Sequence, residues 1–389
     1  MSSTSNNYDV LIVGGGVIGL SLAWELAQHQ VKVCLVDRSQ LGKEASWAGA
    51  GMIPPGPDRS QWEIATPIEQ IEALSDQLHQ RWHERLLEQT GIDNEYRRCG
   101  SLQLVLSPGD GAALKTRIAR CRLLGIACDA LDPITLADIE PVLAPRVERI
   151  AHAYHLPTEA QIRNPRHLQA LVSACQLAGV ELRPGVAVQE FVTAGSRLVG
   201  AVTSAGSIAA EHFCLTAGCW SAQLIPNLGL ELPIRPIRGQ IVLLQGPPGR
   251  LRRNINVGAR YLVPRRDGRV LVGSTQEDVG FLKANTDSGV AELLQFAETI
   301  SPEIANLPSE TQWSGLRPAS ADGLPYLGRL PQIENGWIAT GHFRAGLQLS
   351  PATAVVMRTL MLSQEPPIDA SSLELTRMPP EPHHVATPS

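Results

Sequence analysis

Three glycines near the N-terminus have the spacing of a turn that could bind a dinucleotide. Gly14, Gly16 and Gly19 form a G-x-G-x-x-G pattern, and Val17 and Ile18 lie between the last two. The first glycine permits a sharp turn, the second lets the backbone approach a pyrophosphate, and the third lets a helix pack against a strand. Since the positive end of that helix would face the phosphates, this segment is a candidate phosphate-binding site.

The elements that this chemistry needs flank the glycines. Residues 8–13 form a short apolar run, apolar residues then recur at helical spacing, and residues 31–36 form a second alternating run. Asp37 ends that run, 18 residues after Gly19, where a carboxylate can accept hydrogen bonds from a ribose diol. The alternative is an ordinary glycine-rich turn with a surface aspartate. The pattern favours a βαβ unit that binds an adenine dinucleotide, and it leaves FAD and NAD both open.

The composition predicts a globular chain of two joined domains. The chain has 389 residues, of which 43% are apolar and 18% charged, and its formal net charge is -5. Nucleic acid is therefore not an expected partner. The richest basic stretch runs from Arg250 through Arg260, Arg265 and Arg266 to Arg269 and is interrupted by apolar residues. We predict that it forms a solvated rim.

Cysteines and termini bear on the location of the protein. Seven scattered cysteines include no Cys-x-x-Cys pair, and no histidine cluster has zinc spacing, so free buried thiols, no metal site and a cytoplasmic location are expected. Residues 1–7 lack the features of a secretory signal, and the apolar run 10–24 is shorter than the ~20 residues of a membrane-spanning helix. No membrane contact is expected. Residues 1–7 and 378–389 are predicted to be disordered tails.

Periodicity in the rest of the chain predicts two strand-rich regions and a last helix. Strands at 180–215 return the chain to the first sheet. A second region at 237–274 is expected to be antiparallel and separate from the opening unit. The last helix is expected at 349–362, with Pro351 in its first turn.

Six motifs in order establish a specific resemblance. They are GGGVIGLSLAWEL, SWAGAGMIPPG, LTAGCWS, RYLVPRRDGRVLVGST, WSGLRPASADGLPYLG and GHFRAGLQLSPATA, and they extend from near Tyr8 to near Leu362. With them the chain resembles the D-amino-acid oxidase superfamily of FAD-dependent oxidoreductases. Within that superfamily it is most similar to the glycine-oxidising enzymes of bacterial thiamin synthesis.

The resemblance implies the domain architecture. The expected fold is α/β, with a Rossmann-like FAD-binding domain (GR2/DAO type) and an interleaved substrate domain built on an antiparallel sheet. The FAD-binding domain would comprise 1–88, 151–232 and 313–389, and the substrate-binding domain 89–150 and 233–312. Both domains are therefore expected to be discontinuous in sequence.

The implied cofactor is noncovalent FAD. Small residues in the segment 42–52 would let the backbone approach a flat isoalloxazine ring, although a flexible loop is the alternative. Sarcosine oxidases usually tether FAD to a C-terminal cysteine, and no cysteine follows Cys219 here. By resemblance, Asp37 and Arg38 contact the adenosine part and Val188 contacts adenine. The residues expected along the rest of FAD are Ala45, Ser46, Ala50, Gly51, Met52, His342, Phe343, Arg344, Ala345, Gly346, Leu347 and Gln348.

Three residues are candidates for binding an amino acid substrate. A carboxylate in a partly desolvated pocket needs a cation, and Arg317 is the candidate because a guanidinium can donate two parallel hydrogen bonds. The resemblance assigns the Tyr261 hydroxyl to the same carboxylate and Arg344 to placement of the amino group. The alternative for Arg317 is a solvated side chain, and for Tyr261 it is packing in the core. For Arg344 it is a position in a surface loop. Ala259 and Gln276 replace a histidine and a methionine of better-known members, which leaves the substrate range open.

The implied reaction is oxidative deamination of glycine, or of small amines such as sarcosine or D-amino acids. The products would be glyoxylate, ammonia and hydrogen peroxide, formed by hydride transfer to flavin with dioxygen as oxidant and without a protein acid or base. By resemblance, a thiazole synthase is a candidate acceptor of the imine, and a homotetramer is expected. The alternatives are a sarcosine or D-amino-acid oxidase, a dehydrogenase of the same superfamily, and a non-catalytic flavin-binding scaffold.

Overall fold

The computed structural model describes residues 8–107, 109 and 111–377, so both predicted tails lie outside the described residues. Its α-helices are α1 (Val17–Ala27), α2 (Ala45–Ala48), α3 (Pro67–Thr90), α4 (Gly111–Leu123), α5 (Pro133–Ile139), α6 (Asn164–Leu177), α7 (Asp287–Ile300), α8 (Pro302–Ala305) and α9 (Gly346–Met361). None of these helices is long and apolar enough to cross a bilayer.

Its strands are β1 (Tyr8–Val13), β2 (Val33–Asp37), β3 (Met52–Ile53), β4 (Arg97–Arg98), β5 (Ser101–Val105), β6 (Asp129–Leu131), β7 (His152–Leu156), β8 (Ala160–Gln161), β9 (Glu181–Pro184), β10 (Val188–Ala194), β11 (Arg197–Thr203), β12 (Gly206–Ile208), β13 (Ala210–Leu215), β14 (Ile234–Leu244), β15 (Asn254–Val257), β16 (Arg260–Pro264), β17 (Val270–Gly273), β18 (Ser309–Ser320), β19 (Tyr326–Arg329) and β20 (Gly336–Thr340). They form four sheets.

The first sheet contains the predicted βαβ unit. Its order is β19-β20-β13-β1-β2-β9, and its pairs are parallel except for β19 with β20 at one edge. Leu11 and Ile12 are fully buried, one on each face of β1. Burial on both faces explains why this strand is a continuous apolar run.

Different layers cover the two faces of the first sheet. Helices α1, α3, α6 and α9 contribute to the core on one face, in which Trp24 is fully buried. The meander β10-β11-β12 covers the other face, where Phe191 packs against Phe213. Val13 at the end of β1 and Thr216 just after β13 line a cavity, at the edge where a parallel sheet binds its ligand.

A large eight-stranded sheet forms the second part of the molecule, with the order β18-β14-β17-β16-β15-β5-β7-β6. Its pairs are antiparallel except for β15 with β5, which confirms the predicted antiparallel region. The long pair β14 and β18 places Ile237 opposite Arg317. Leu293 and Phe296 of α7 are buried in the core of this part.

Segments from distant parts of the chain meet in the large sheet. Strands β5, β6 and β7 come from the first half of the chain, and β14 to β18 come from the second. β7 and the last eight residues of β18 belong to this sheet, although the expected boundaries put 152–156 and 313–320 in the FAD-binding domain. The division into two discontinuous domains remains a prediction.

The last helix begins earlier than expected. α9 starts at Gly346, so Pro351 lies inside the helix and the prediction that it occupies the first turn is wrong. A proline has no N–H to donate to the carbonyl four residues before it. The Ser350 hydroxyl donates to that carbonyl, the oxygen of Leu347, at 3.0 Å. A local side chain therefore replaces the missing hydrogen bond, which periodicity does not reveal.

Candidate active site

A cavity extends from the glycine turn of the first sheet to β18 of the large sheet. The predicted site residues that line it are Gly14, Gly16, Val17, Ile18, Asp37, Arg38, Ala45, Ser46, Ala50, Gly51, Met52, Val188, Tyr261, Arg317, His342, Phe343, Arg344, Gly346 and Leu347. Gly19, Ala345 and Gln348 do not line it. Segments from both ends of the chain therefore meet at one site.

The glycine turn has the predicted geometry. Gly14 has φ +114°, and a Cβ atom there would lie 2.6 Å from the Thr216 carbonyl oxygen. A Cβ atom at Gly19 would lie 1.9 Å from the Gly14 oxygen, so Gly19 serves helix packing. The N–H groups of Gly16 and Ile18 donate to no acceptor in the described part of the chain. This helix N-terminus is suited to phosphate oxygens.

Asp37 ties the glycine turn to the end of β2. Its Oδ2 accepts the N–H of Gly15 at 2.7 Å, and its Oδ1 accepts the N–H of Ser39 at 2.8 Å. A carboxylate has about four lone-pair sites, so capacity remains for a ribose hydroxyl. Beside it, the Arg38 guanidinium lies over the Trp220 ring, 3.8 Å from the centroid. Trp220 also lines the cavity, although it was not among the site residues predicted from the sequence.

The small-residue loop 45–52 offers a row of free donors. The N–H groups of Gly49, Ala50 and Gly51 have no acceptor among residues 8–107, 109 and 111–377, and all three residues line the cavity. Gly51 has φ +76°, and a Cβ atom there would lie 2.0 Å from the Ile162 oxygen. The loop is therefore an ordered backbone surface suited to a flat ring with carbonyl and nitrogen acceptors.

Helix α9 presents a second helix N-terminus to the cavity. The N–H groups of Gly346 and Leu347 donate to no described acceptor, and both residues line the cavity. The positive end of a helix favours an electron-rich group near it. The predicted segment 342–348 is thus a helix start and not only a loop.

Helix α3 braces α9 at its proline. His79 Nε2 forms a hydrogen bond with the Gln348 oxygen at 2.9 Å, and the N–H of Ala352 donates to Ser75 Oγ at 3.2 Å. In a regular helix Ala352 would donate to Gln348 itself. Burial lowers the pKa of His79 to about 4, so its ring is neutral at neutral pH. The two α3 side chains replace the hydrogen bond that is broken next to Pro351.

Arg317 is the cation at the other end of the cavity. Its Nη2 donates to Ser274 Oγ at 2.7 Å and its Nη1 to the Thr275 oxygen at 3.2 Å. The Tyr261 hydroxyl lies close enough to act on the charge of the guanidinium, and both side chains line the cavity. Burial lowers the pKa of the Arg317 guanidinium, and the neighbouring Tyr261 opposes this shift. The structure therefore brings the two predicted carboxylate-binding residues together.

The partners of Arg317 are neutral. The acidic residue whose charge acts on it, Glu277, forms an ion pair with Arg238 instead. Within the described residues Arg317 forms no ion pair of its own. A partly buried cation that faces a cavity without a counter-ion is suited to an anionic ligand.

Arg344 lies at the exposed side of the same region. Its Nη2 donates to the Ala259 oxygen at 2.9 Å, and its charge contributes to the lowered pKa of Arg317. Ala259 thus takes part in this region through its backbone carbonyl, which holds the Arg344 side chain. Gln276 is exposed and does not line the cavity, so no contact in the structure supports its predicted effect on substrate range.

Arg265 departs from the predicted solvated rim, and that prediction is wrong for this residue. Its side chain is buried, with 8% exposure, and it donates to the Ala50 oxygen. Arg266 and Arg269 of the same stretch are more exposed and form ion pairs. The sequence did not show this because the turn after β16 becomes buried only when it packs on the loop from the first sheet.

Comparison with known proteins identifies the family. A family model described as FAD dependent oxidoreductase (DAO) matches residues 9–360. The chain belongs to this family. This FAD-dependent oxidoreductase is 36% identical to a glycine oxidase from Pseudomonas aeruginosa, over 92% of this chain and 96% of the relative.

Two further relatives extend the comparison. A protein of Nostoc sp. named bifunctional protein ThiO/ThiG is 32% identical over 92% of this chain, which spans 53% of the relative. The crystal structure of glycine oxidase from Geobacillus kaustophilus aligns with a TM-score of 0.89 and 31% identity, covering 96% of this chain and 100% of that chain. These findings confirm the expected superfamily and the α/β FAD-binding fold.

The free donors of the FAD-dependent oxidoreductase fit its cofactor. The α1 turn offers N–H groups to phosphates, Asp37 can accept from a ribose, and the loop 45–52 and α9 offer N–H groups to a ring that is rich in acceptors. Individual contacts of the predicted residues with FAD remain predictions.

The predicted set lacked several residues of the site. Trp220 and Thr216 belong to the LTAGCWS motif, and Ser274 belongs to the RYLVPRRDGRVLVGST motif, so the motifs contained a signal for them. Asn164 lines the cavity but lies in none of the six motifs. The structure identifies it by this position and by its hydrogen bond to the Ser46 oxygen, at 2.8 Å.

Proposed function

We propose that this FAD-dependent oxidoreductase is a glycine oxidase that converts glycine to glyoxylate, ammonia and hydrogen peroxide. The observation that carries the proposal is the guanidinium of Arg317, which faces the cavity with neutral partners and no carboxylate partner in the described chain. The Tyr261 hydroxyl lies beside it. Similarity to the glycine oxidases of Pseudomonas aeruginosa and Geobacillus kaustophilus supports this substrate.

The residues of the chain would bind and orient the substrate. Arg317 and Tyr261 hold the carboxylate by charge-assisted hydrogen bonds, and Arg344 limits the space on the exposed side, where the amino group is placed. Bound FAD would supply the acceptor for the hydride of the substrate Cα, with dioxygen as the final oxidant. The imine that leaves is hydrolysed to glyoxylate and ammonia.

A substrate panel followed by peroxide release tests the proposal. Glycine, sarcosine, N-ethylglycine, D-alanine and D-proline are compared at equal concentration, and glycine is expected to have the highest kcat/KM. A sarcosine or D-amino-acid oxidase would prefer another member of the panel. Anaerobic glycine is expected to bleach the flavin absorbance, whereas a non-catalytic scaffold would stay oxidised. In a dehydrogenase, anaerobic glycine would also bleach the flavin absorbance, but the enzyme would release little peroxide in air.

We also propose that the imine is passed to a thiazole synthase of thiamin synthesis. The support is the bifunctional ThiO/ThiG protein of Nostoc sp., of which this chain spans about half. Coexpression with a thiazole synthase, followed by measurement of thiazole formation from glycine, tests this partner. A cytoplasmic location, predicted from the cysteines and the N-terminal segment, and a homotetramer, implied by the resemblance, remain predictions, and light scattering of the purified protein tests the second.

A further inference from the structure

Arg265 is a buried cation with neutral hydrogen-bond partners. It follows β16, and its Nη1 donates to Gln161 Oε1 and to the Ile162 oxygen, both at 2.9 Å, while its Nη2 donates to the Ala50 oxygen at 2.7 Å. Burial lowers the pKa of its guanidinium to about 10, so it stays charged at neutral pH. In the described part of the chain it forms no ion pair. Removing a guanidinium from water for neutral acceptors is costly, so stability alone explains this arrangement poorly.

Arg265 is one of three side chains that hold alternate carbonyls of the loop 45–52. The three hydrogen bonds are from Asn164 Nδ2 to the Ser46 oxygen at 2.8 Å, from Trp313 Nε1 to the Ala48 oxygen at 3.1 Å, and from Arg265 Nη2 to the Ala50 oxygen at 2.7 Å. Trp313 and Arg265 both come from the large sheet region. Two of the three side chains that hold the loop of the first part therefore belong to the second part.

Holding these carbonyls determines the direction of the next N–H groups. The carbonyl of Ala50 and the N–H of Gly51 belong to one planar trans peptide and point in opposite directions. Because the Ala50 oxygen points at Arg265, the Gly51 N–H points away from it. Gly51 lines the cavity, and its N–H has no acceptor in the described residues. The peptide of Ala48 and Gly49, held by Trp313, has the same arrangement.

We propose that Arg265 is a positioning residue for the cofactor, which acts through the Ala50 carbonyl and directs the Gly51 N–H to an acceptor of the bound flavin. The inference rests on the FAD site of the proposed function. A lysine is a poor replacement for Arg265, because its three donors sit on one nitrogen, whereas the planar guanidinium donates from two separate nitrogens to acceptors on three residues. The loop is thereby fixed from the large sheet, which also carries Arg317.

FAD binding by matched variants tests the inference. Arg265→Lys and Arg265→Met are compared with the parent and with Arg266→Met, whose side chain is more exposed and pairs with Asp93. Apoprotein is titrated with FAD by flavin fluorescence, and its thermal midpoint is recorded. Both Arg265 variants are expected to bind FAD about tenfold more weakly or worse, since a charged hydrogen bond is lost. Their visible flavin bands should shift, whereas the Arg266 variant should match the parent.

Parental FAD affinity in the folded Arg265 variants would overturn the inference, even if their thermal midpoints fell, because the residue would then only stabilise the fold. If Arg265→Met does not fold, Arg265→Lys decides by the same criterion. These results are independent of the substrate. A parent that binds FAD but fails to oxidise glycine would overturn the proposed function and leave the comparison of FAD affinities intact.

Discussion

A Cβ atom at Gly239 would lie 2.0 Å from Nη2 of Arg317, so the guanidinium occupies the space that a side chain on the neighbouring strand would fill. Gly239 is on β14, opposite Gly315 and two residues from Ile237, which pairs with Arg317. The missing side chain on one strand therefore determines where the cation of the other strand can lie.

Substitution Gly239→Ala tests this relationship. The added methyl group should displace the guanidinium without removing it, because overpacking at this distance forces a neighbour to move. The KM for glycine is expected to rise about tenfold or more, with FAD affinity unchanged. Gly200→Ala is the control, because its Cβ would lie 3.3 Å from the Ile208 oxygen, a contact that a shift of a few tenths of an ångström relieves. A parental KM for Gly239→Ala would show that the position of Arg317 does not matter.

Substitution Arg317→Ala removes the proposed carboxylate anchor. Loss of a charge-assisted hydrogen bond costs about 2 to 3 kcal/mol, so KM for glycine should rise about 30- to 150-fold. Arg235→Ala is the matched control, since Arg235 is exposed and pairs with Asp278. Steady-state kinetics with peroxide detection measures both. Equal KM values in the two variants would rule out Arg317 as the anchor.

Alanine substitutions at Gly51 and Gly185 distinguish the effect of backbone strain from the effect of a clash with neighbouring atoms. Both have φ +76°, but a Cβ atom at Gly51 would lie 2.0 Å from the Ile162 oxygen, whereas Gly185 has open space. Gly185→Ala should cost only the strain of a left-handed alanine, about 1 to 2 kcal/mol of unfolding free energy. Gly51→Ala should also weaken FAD binding strongly. If both variants bound FAD equally well, the path of the loop would not be critical.

Because the His79 ring is buried, we expect the free energy of unfolding to depend on pH. Burial lowers the pKa of His79 to about 4 from the ordinary 6.5 of a histidine, so its contribution to stability is fully present above pH 6.5 and is lost as the pH falls toward 4. Between pH 7 and pH 5 this loss is about 2 kcal/mol. His79→Gln should therefore lose less stability than the parent on acidification. Urea unfolding at both pH values measures the difference. The pKa of His167, whose ring lies 6.4 Å away, is also lowered, by burial and in part by the charge of His79, so the substitution should reduce the loss from His167 as well.

A tethered flavin is not expected. Cys219 lines the cavity, but burial raises the pKa of its thiol to about 12, so it is protonated and poorly nucleophilic. Acid precipitation should release the yellow colour into the supernatant for the parent and for Cys219→Ser alike. Yellow colour in the pellet of the parent, but not in that of the variant, would identify a covalent bond.

The differences between expectation and structure have a common origin. Pro351 was expected in the first turn of a helix, yet it lies inside α9 because Ser350 and two side chains of α3 replace the broken hydrogen bonds. Arg265 was expected at a solvated rim, yet it is buried against Ala50. In both cases the outcome depends on specific hydrogen bonds, most of them with residues that are remote in sequence. Neither composition nor periodicity can predict those hydrogen bonds.

The sequence by itself determined the features that depend on residues close together in the chain. The glycines before α1, the aspartate at the end of β2 and the small residues of the loop are readable because turn geometry and close approach restrict which residues can occupy them. Only the tertiary structure decided which long side chains meet there. Whether Arg317 faces a ligand and Arg265 holds a carbonyl depends on the register of β14 with β18 and on the packing of the loop against the large sheet. Burial and hydrogen-bond partners of an arginine are properties of that assembly, since its side chain can reach either solvent or a distant backbone.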